Sequence, residues 1–279
     1  MVTFETKKVS DRITRIYGMN GEQMYLIIGE KRAALVDTAT GVGDLKGLID
    51  SLTELPTIVL ITHGHVDHAM GAEPFEEVYM DWNDLNVYQE HASVEMRKSY
   101  LSTSAKFTSI EEKDYASVRK IEDFKNIRDG DTFDLGGGVV IEAVSCPGHS
   151  PGSMMFLIWE ERTLISGDAC AFFTMLQGDS CLGLSTYERN LKKAKERTDG
   201  KYDRILCSHG SFDMPVTLIN EVLEVIGEVK NGTDDRVPYK FSGTEGLVAK
   251  RFGNNGVSSY ARLDGKTGNL VYNPAKIWE

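Results

Sequence analysis

Apolar residues alternate with polar ones, or gather in short runs, through the opening third of the chain. Residues 13–17, 24–28 and 33–36 form such runs, with Gly-containing turns between them, and predict a β-meander. Val42, Leu45, Leu48 and Ile49 then share one face of a helix over 42–52, and Pro56 precedes the β-branched run 57–61. That is a strand, helix, strand unit, and its last apolar run stops abruptly at Thr62-His63. Residues 82–128 differ: 82–100 and 110–119 are charged and helix-favouring, which predicts a helical insertion. Strands resume at 138–144, 153–159 and 163–165, followed by a helix over 187–197 and a short strand over 202–207. A helix over 216–229 turns Leu218, Val222, Val225 and Ile226 inward, and Gly/Asn turns then separate strand-like runs at 247–252 and 257–263.

A chain of 279 residues, 41% hydrophobic and 26% charged, reads as one globular domain over 1–279. The 42 acidic residues outnumber the 31 basic ones, and a formal charge of −11 would repel a phosphate backbone, so no nucleic-acid partner is expected. No apolar run reaches the length of a membrane span, and the first thirty residues mix charged with apolar groups, so a cytoplasmic protein with no membrane partner is expected. Cys146, Cys170, Cys181 and Cys207 have no CxxC spacing and are expected to be reduced, buried thiols.

Three of the six histidines fall within six residues, as His63, His65 and His68 beside Asp67 in the pattern H-x-H-x-D-H. Two more follow strand-like runs: His149 in Cys146-Pro147-Gly148-His149-Ser150-Pro151-Gly152-Ser153, and His209 in Cys207-Ser208-His209-Gly210. Imidazole and carboxylate are donors that zinc, iron and manganese accept. Residues i and i+2 of extended backbone point the same way, so His63 and His65 can grip one ion, while Asp67 and His68 enter the following turn to serve a second. Gly64 and Gly71 either permit tight backbone geometry there or are ordinary turn glycines. The sixth histidine, His91, falls inside the helical insertion and is expected to be an ordinary packed or surface residue.

The ordered motifs Thr62-His63-Gly64-His65-Val66-Asp67-His68, Pro147-Gly148-His149-Ser150-Pro151-Gly152, Ser166-Gly167-Asp168 and Ser208-His209-Gly210 resemble the metallo-β-lactamase superfamily. The run Leu35-Val36-Asp37-Thr38 with Gly41 looks like that family's strand end, whose aspartate supports metal-bound histidines. The resemblance implies an α/β fold, a four-layer αββα sandwich with helices outside two mixed sheets, here carrying a helical insertion at 82–128 and a C-terminal β-rich extension at 231–279. It implies two divalent metal ions, one held by His63, His65 and His149, the other by Asp67, His68 and His209, with Asp168 bridging them. Zinc is the family's usual metal, with iron or manganese in some branches. It further implies a hydrolase in which a metal-bridging hydroxide, oriented by Asp168, attacks the substrate, and in which Asp67 or a water protonates the leaving group.

The run around His149 resembles the glyoxalase II and lactonase groups, so the expected substrate is a small-molecule carboxylic ester, thioester or lactone. Asp168 argues against a β-lactam, because true β-lactamases of the family generally lack that bridging aspartate. Three alternatives remain: a mononuclear iron, persulfide dioxygenase-like oxidoreductase using His63, His65 and His149; a phosphodiesterase of the same fold; and a non-catalytic metal-binding sensor. Homodimerisation stays open. The helical insertion at 82–128 and residues 169–176, directly after Asp168, are both expected to line the metal cleft, although Phe172, Phe173 and Met175 also suit the core. Tyr187 lies near where some lactonases place a substrate-polarising tyrosine, and equally suits packing at a helix start.

Overall fold

In the computed structural model, which describes residues 2–102, 110–210, 213–241 and 243–279, the elements divide between two units, Met1–Ala143 and Val144–Glu279. The first opens on the expected meander, strands β1 (Glu5–Lys8), β2 (Ile13–Tyr17), β3 (Gln23–Ile28) and β4 (Ala33–Val36), each antiparallel to the next. β1 carries no apolar residue to betray it and is exposed along its whole length. Helix α1 (Leu45–Leu52) follows, its first turn capped by Asp44, whose carboxylate accepts the Gly47 amide at 2.8 Å. Leu45 and Ile49 are buried as the periodicity requires, whereas Val42 stays outside the helix and bridges to Tyr115.

The sheet continues in parallel through β5 (Thr57–Leu60), β6 (Val78–Met80) and β7 (Lys125–Asn126). Leu26, Leu35, Val59, Ile61, Phe75 and Met80 form the core beneath it. Because β4 and β5 run parallel, their C-terminal ends lie side by side, where open α/β sheets place their ligand sites.

The insertion is helical at its start, with a 3₁₀ turn Trp82–Asp84, α2 (Leu85–His91) and α3 (Val94–Leu101). Residues 103–109 of the insertion, like residue 242 of the extension, lie outside the described residues. The helix expected over 110–119 is not formed there; only the 3₁₀ turn Glu112–Asp114 is helical. Tertiary demand overrides propensity: Tyr115 bridges Val42, and the buried Arg119 donates to the carbonyls of Phe75 at 2.6 Å and Asp123 at 2.9 Å. Those anchors hold the chain extended. The unit closes with β8 (Thr132–Asp134) antiparallel to β9 (Val140–Ser145), whose last two residues already belong to the second unit.

In the second unit β10 (Met154–Ile158) pairs antiparallel with β11 (Thr163–Ile165), and β13 (Arg204–Leu206) pairs parallel with β11. Helices α4 (Leu184–Thr198) and α5 (Leu218–Asn231) bury Leu191, Ala194, Val222 and Val225 in one core with Met155, Leu157 and Ile205. The β-rich extension is present: β14 (Val237–Phe241) and β15 (Thr244–Val248) form a hairpin, β16 (Phe252–Gly253) pairs with β17 (Ala261–Arg262), and β18 (Asn269–Tyr272) pairs with β15.

The stretch expected to line the cleft joins this extension. Phe173–Leu176 is strand β12, parallel to β18, and residues 169–174 and 176 are buried. The Phe173 ring packs against Tyr239, Phe252 and Tyr260 at centroid distances of 5.3, 5.3 and 4.8 Å, so it belongs to the core. The partner strand lies almost a hundred residues downstream, which leaves no local signal in the sequence. Among the described residues, no helix is long and apolar enough to cross a membrane.

Candidate metal centre

The donor residues lie in the loops that follow β5, β9, β11 and β13. In the first unit, the backbone after β4 turns through a left-handed conformation at Asp37 (φ 63°), and the Asp37 amide donates to Leu60 O at 3.1 Å. This sets the Asp37 carboxylate beside the end of β5. Asp37 is 1% exposed; its Oδ1 accepts the Thr62 amide at 2.8 Å and its Oδ2 lies 2.9 Å from His68 Nδ1. A carboxylate can only accept, so His68 Nδ1 carries the proton and Nε2 keeps the lone pair that binds metal. The Thr62 hydroxyl donates to the same carboxylate at 2.8 Å and lies 3.0 Å from His63 Nδ1. With its own proton engaged, that hydroxyl accepts from His63, and His63 is set in the same tautomer.

The loop that carries His63, His65, Asp67 and His68 is stitched to the turn after Asp37. Thr38 donates its amide to His68 O at 2.6 Å and accepts the Gly71 amide on Oγ1 at 3.2 Å. The glycines follow from close packing. A Cβ on Gly64 would lie 2.7 Å from the Asp84 carbonyl oxygen and 2.8 Å from the Tyr88 nitrogen, and Gly71 meets the Thr38 carbonyl more closely still. The rings of His63 and His65 are 4.7 Å apart and those of His63 and His68 4.0 Å apart, while Asp67 Oδ1 stands 3.6 Å from His68 Nε2.

The helical insertion reaches this loop with side chains that the sequence did not single out. Asp84 Oδ2 accepts the Gly64 amide at 2.8 Å, and the Tyr100 hydroxyl donates to Asp67 Oδ2 at 2.8 Å. His91, expected to be an ordinary residue, accepts the Val66 amide on Nδ1 at 3.1 Å and stacks on His65, ring centroids 4.8 Å apart and planes 18° from parallel.

The second unit gathers His149, Asp168 and His209. The parallel pairing of β11 with β13 brings their ends together, so that Asp168 Oδ2, three residues past one strand, lies 3.3 Å from Nε2 of His209, three residues past the other. His149 Nε2 lies 3.8 Å from the same oxygen. Its Nδ1 lies 2.7 Å from the Met175 carbonyl, which can only accept, so Nε2 again keeps the lone pair. Cys181 Sγ donates to His149 O at 3.2 Å and braces that loop. Tyr187 is fully buried, donates to Ala169 O at 2.8 Å and packs against Gly148, so it fills the packing role. All four cysteines are buried without a disulfide, and burial pushes the Cys146 thiol up to about 12, leaving it protonated and inert.

The donor set suits a divalent ion within each unit. Oxygen and nitrogen atoms bound at about 2.0–2.2 Å around a tetrahedral ion lie about 3.3–3.6 Å from one another. The separations at His68 and Asp67 and at His209 and Asp168 fall in that interval, and that of His149 just beyond it. They are too long for good hydrogen bonds.

The sequence model of the Metallo-beta-lactamase superfamily matches residues 18–209. Beta-lactamase-like protein 2 homolog of Caenorhabditis elegans is 26% identical over 233 residues, covering 78% of this chain and 68% of that protein. An atrochrysone carboxyl ACP thioesterase of Aspergillus fumigatus is 28% identical over 156 residues, covering 54% of this chain and 30% of that protein. The chain thus spans only part of the curated relatives that it matches. Among solved structures, a metallo-beta-lactamase from Pontibacter korlensis superposes with a TM-score of 0.57 at 15% identity, over 80% of this chain and 98% of that one. This likeness shows the fold, the expected α/β sandwich.

Proposed function

Because the chain belongs to the metallo-beta-lactamase superfamily, we propose that it is a metal-dependent hydrolase of a small-molecule carboxylic ester, thioester or lactone. The observation that carries this reading is the state of its imidazoles. Nδ1 of His68 and of His149 is committed to a group that can only accept, which turns Nε2 toward a neighbouring carboxylate oxygen as a lone-pair donor.

In this reading the donor residues serve two divalent ions. His63, His65 and His149 hold the first ion, Asp67, His68 and His209 the second, and Asp168 is shared. When bound, the ions lower the pKa of a water and polarise the bond under attack. The chain's own residues orient these parts. Asp37 holds the His68 ring from behind and, through the Thr62 hydroxyl, the His63 ring; Asp67 would present Oδ1 to the second ion, and Asp168 would orient the attacking water. Zinc suits imidazole and carboxylate donors, as do iron and manganese.

Thioesters come first among the substrates, because the Aspergillus fumigatus relative and those of Passalora fulva and Cryptosporiopsis are named atrochrysone carboxyl ACP thioesterases. The test is a panel of an acyl thioester, a lactone and an aryl ester presented to metal-loaded protein. Turnover of at least one, abolished in Asp168→Ala, is the expected result; turnover that survives Asp168→Ala contradicts the reading.

A further inference from the structure

The two oxygens of Asp67 have separate partners. Oδ1 faces His68 Nε2 at 3.6 Å, and Oδ2 accepts the Tyr100 hydroxyl of α3 at 2.8 Å. A carboxylate tied at one oxygen presents the other as a single donor; released, it can rotate or grip an ion with both oxygens. His65 is held differently. It is half-buried where His63 and His68 are buried, and the His91 ring of α2 lies flat against it at 4.8 Å while accepting the Val66 amide at 3.1 Å. That contact limits rotation of the His65 ring, and the acceptor fixes the backbone next to it.

We propose that the insertion is a splint for the metal loop, in which Tyr100 and His91 are positioning residues that each govern a different ion. Tyr100 keeps Asp67 a one-oxygen donor to the ion shared with His68, and His91 orients His65 toward the ion shared with His63. The proposal rests on the two-ion reading above. It gives the insertion a role in metal affinity that neither residue's position in the sequence reveals, since both act across 25 or more residues on a loop they do not adjoin.

The test is stepwise titration of metal-free protein with cobalt(II) against a competing chelator, followed by visible absorption, for the full chain and for Tyr100→Phe, His91→Ala and His91→Phe. Tyr100→Phe removes one oxygen and is expected to weaken one of the two binding steps by about 10–100-fold and leave the other unchanged. His91→Ala is expected to weaken the other step, and His91→Phe, which keeps a ring against His65, to recover part of that loss. Wild-type uptake of two equivalents with all variants titrating like it would overturn the splint but spare the two-ion reading. Equal weakening of both steps in every variant would overturn it too, as the mark of a merely structural role. Fewer than two equivalents in the wild type would sink the two-ion reading itself, and the splint with it.

Discussion

His68 is aimed by Asp37, whose Oδ2 accepts its Nδ1 proton at 2.9 Å although 31 residues separate the two in sequence. Both are almost fully buried, and the Thr62 hydroxyl extends the same carboxylate's influence to His63. One aspartate therefore fixes the tautomer of two imidazoles. A buried carboxylate of this kind is costly in isolation and is tolerated because amide, hydroxyl and imidazole donors surround it.

Asp37→Asn keeps the size of that side chain but loses its acceptor-only character, so the amide can face His68 with a donor and favour the wrong tautomer. Metal affinity is expected to fall by about 10–100-fold, measured by chelator competition. Wild-type affinity in Asp37→Asn would contradict this role.

Phe173 sits in the aromatic cluster of the extension, 9% exposed, and not in a substrate cleft. Phe173→Ala is expected to destabilise the fold by about 3–5 kcal/mol, as other large core truncations do, measured by urea unfolding. A near-neutral effect on stability together with a large rise in KM would restore the residue to the substrate site.

Glu77, just before β6, ties β6 and β7 to the turn between β3 and β4. Burial pushes its carboxyl up, but hydrogen bonds from Tyr79, Lys125 and Arg32 win, and its pKa falls to about 2. A carboxyl whose folded pKa is depressed stabilises the fold above its unfolded pKa, near 4.5, and loses that contribution as pH falls toward 2. Wild type is expected to exceed Glu77→Gln in thermal midpoint at pH 6, with the gap narrowing progressively between about pH 5 and 2. A gap independent of pH over that range would show that charge on Glu77 is not the cause.

Much of this was legible in the sequence because its signals are local. Alternation marks β2 to β4, a 3.6-residue period marks α1, α4 and α5, and the spacing of His63, His65, Asp67 and His68 survives any reading of the fold. What stayed hidden depends on distant partners. β12 is a strand only because β18 lies beside it, and the chain around Tyr115 and Arg119 is extended because Val42 and the Phe75 and Asp123 carbonyls hold it there. His91 and Tyr100 look like ordinary helix residues until α2 and α3 fold back over the loop. Asp37 was the exception, visible through the strand-end motif it shares with the family.

The central claim is a two-ion centre, and metal content measures it most directly. Plasma emission analysis of protein purified without added chelator is expected to find close to two divalent ions per chain, falling to one or fewer in a double variant, Asp67→Ala with His68→Ala. A single iron per chain in the wild type, or a full complement retained by the double variant, would contradict it.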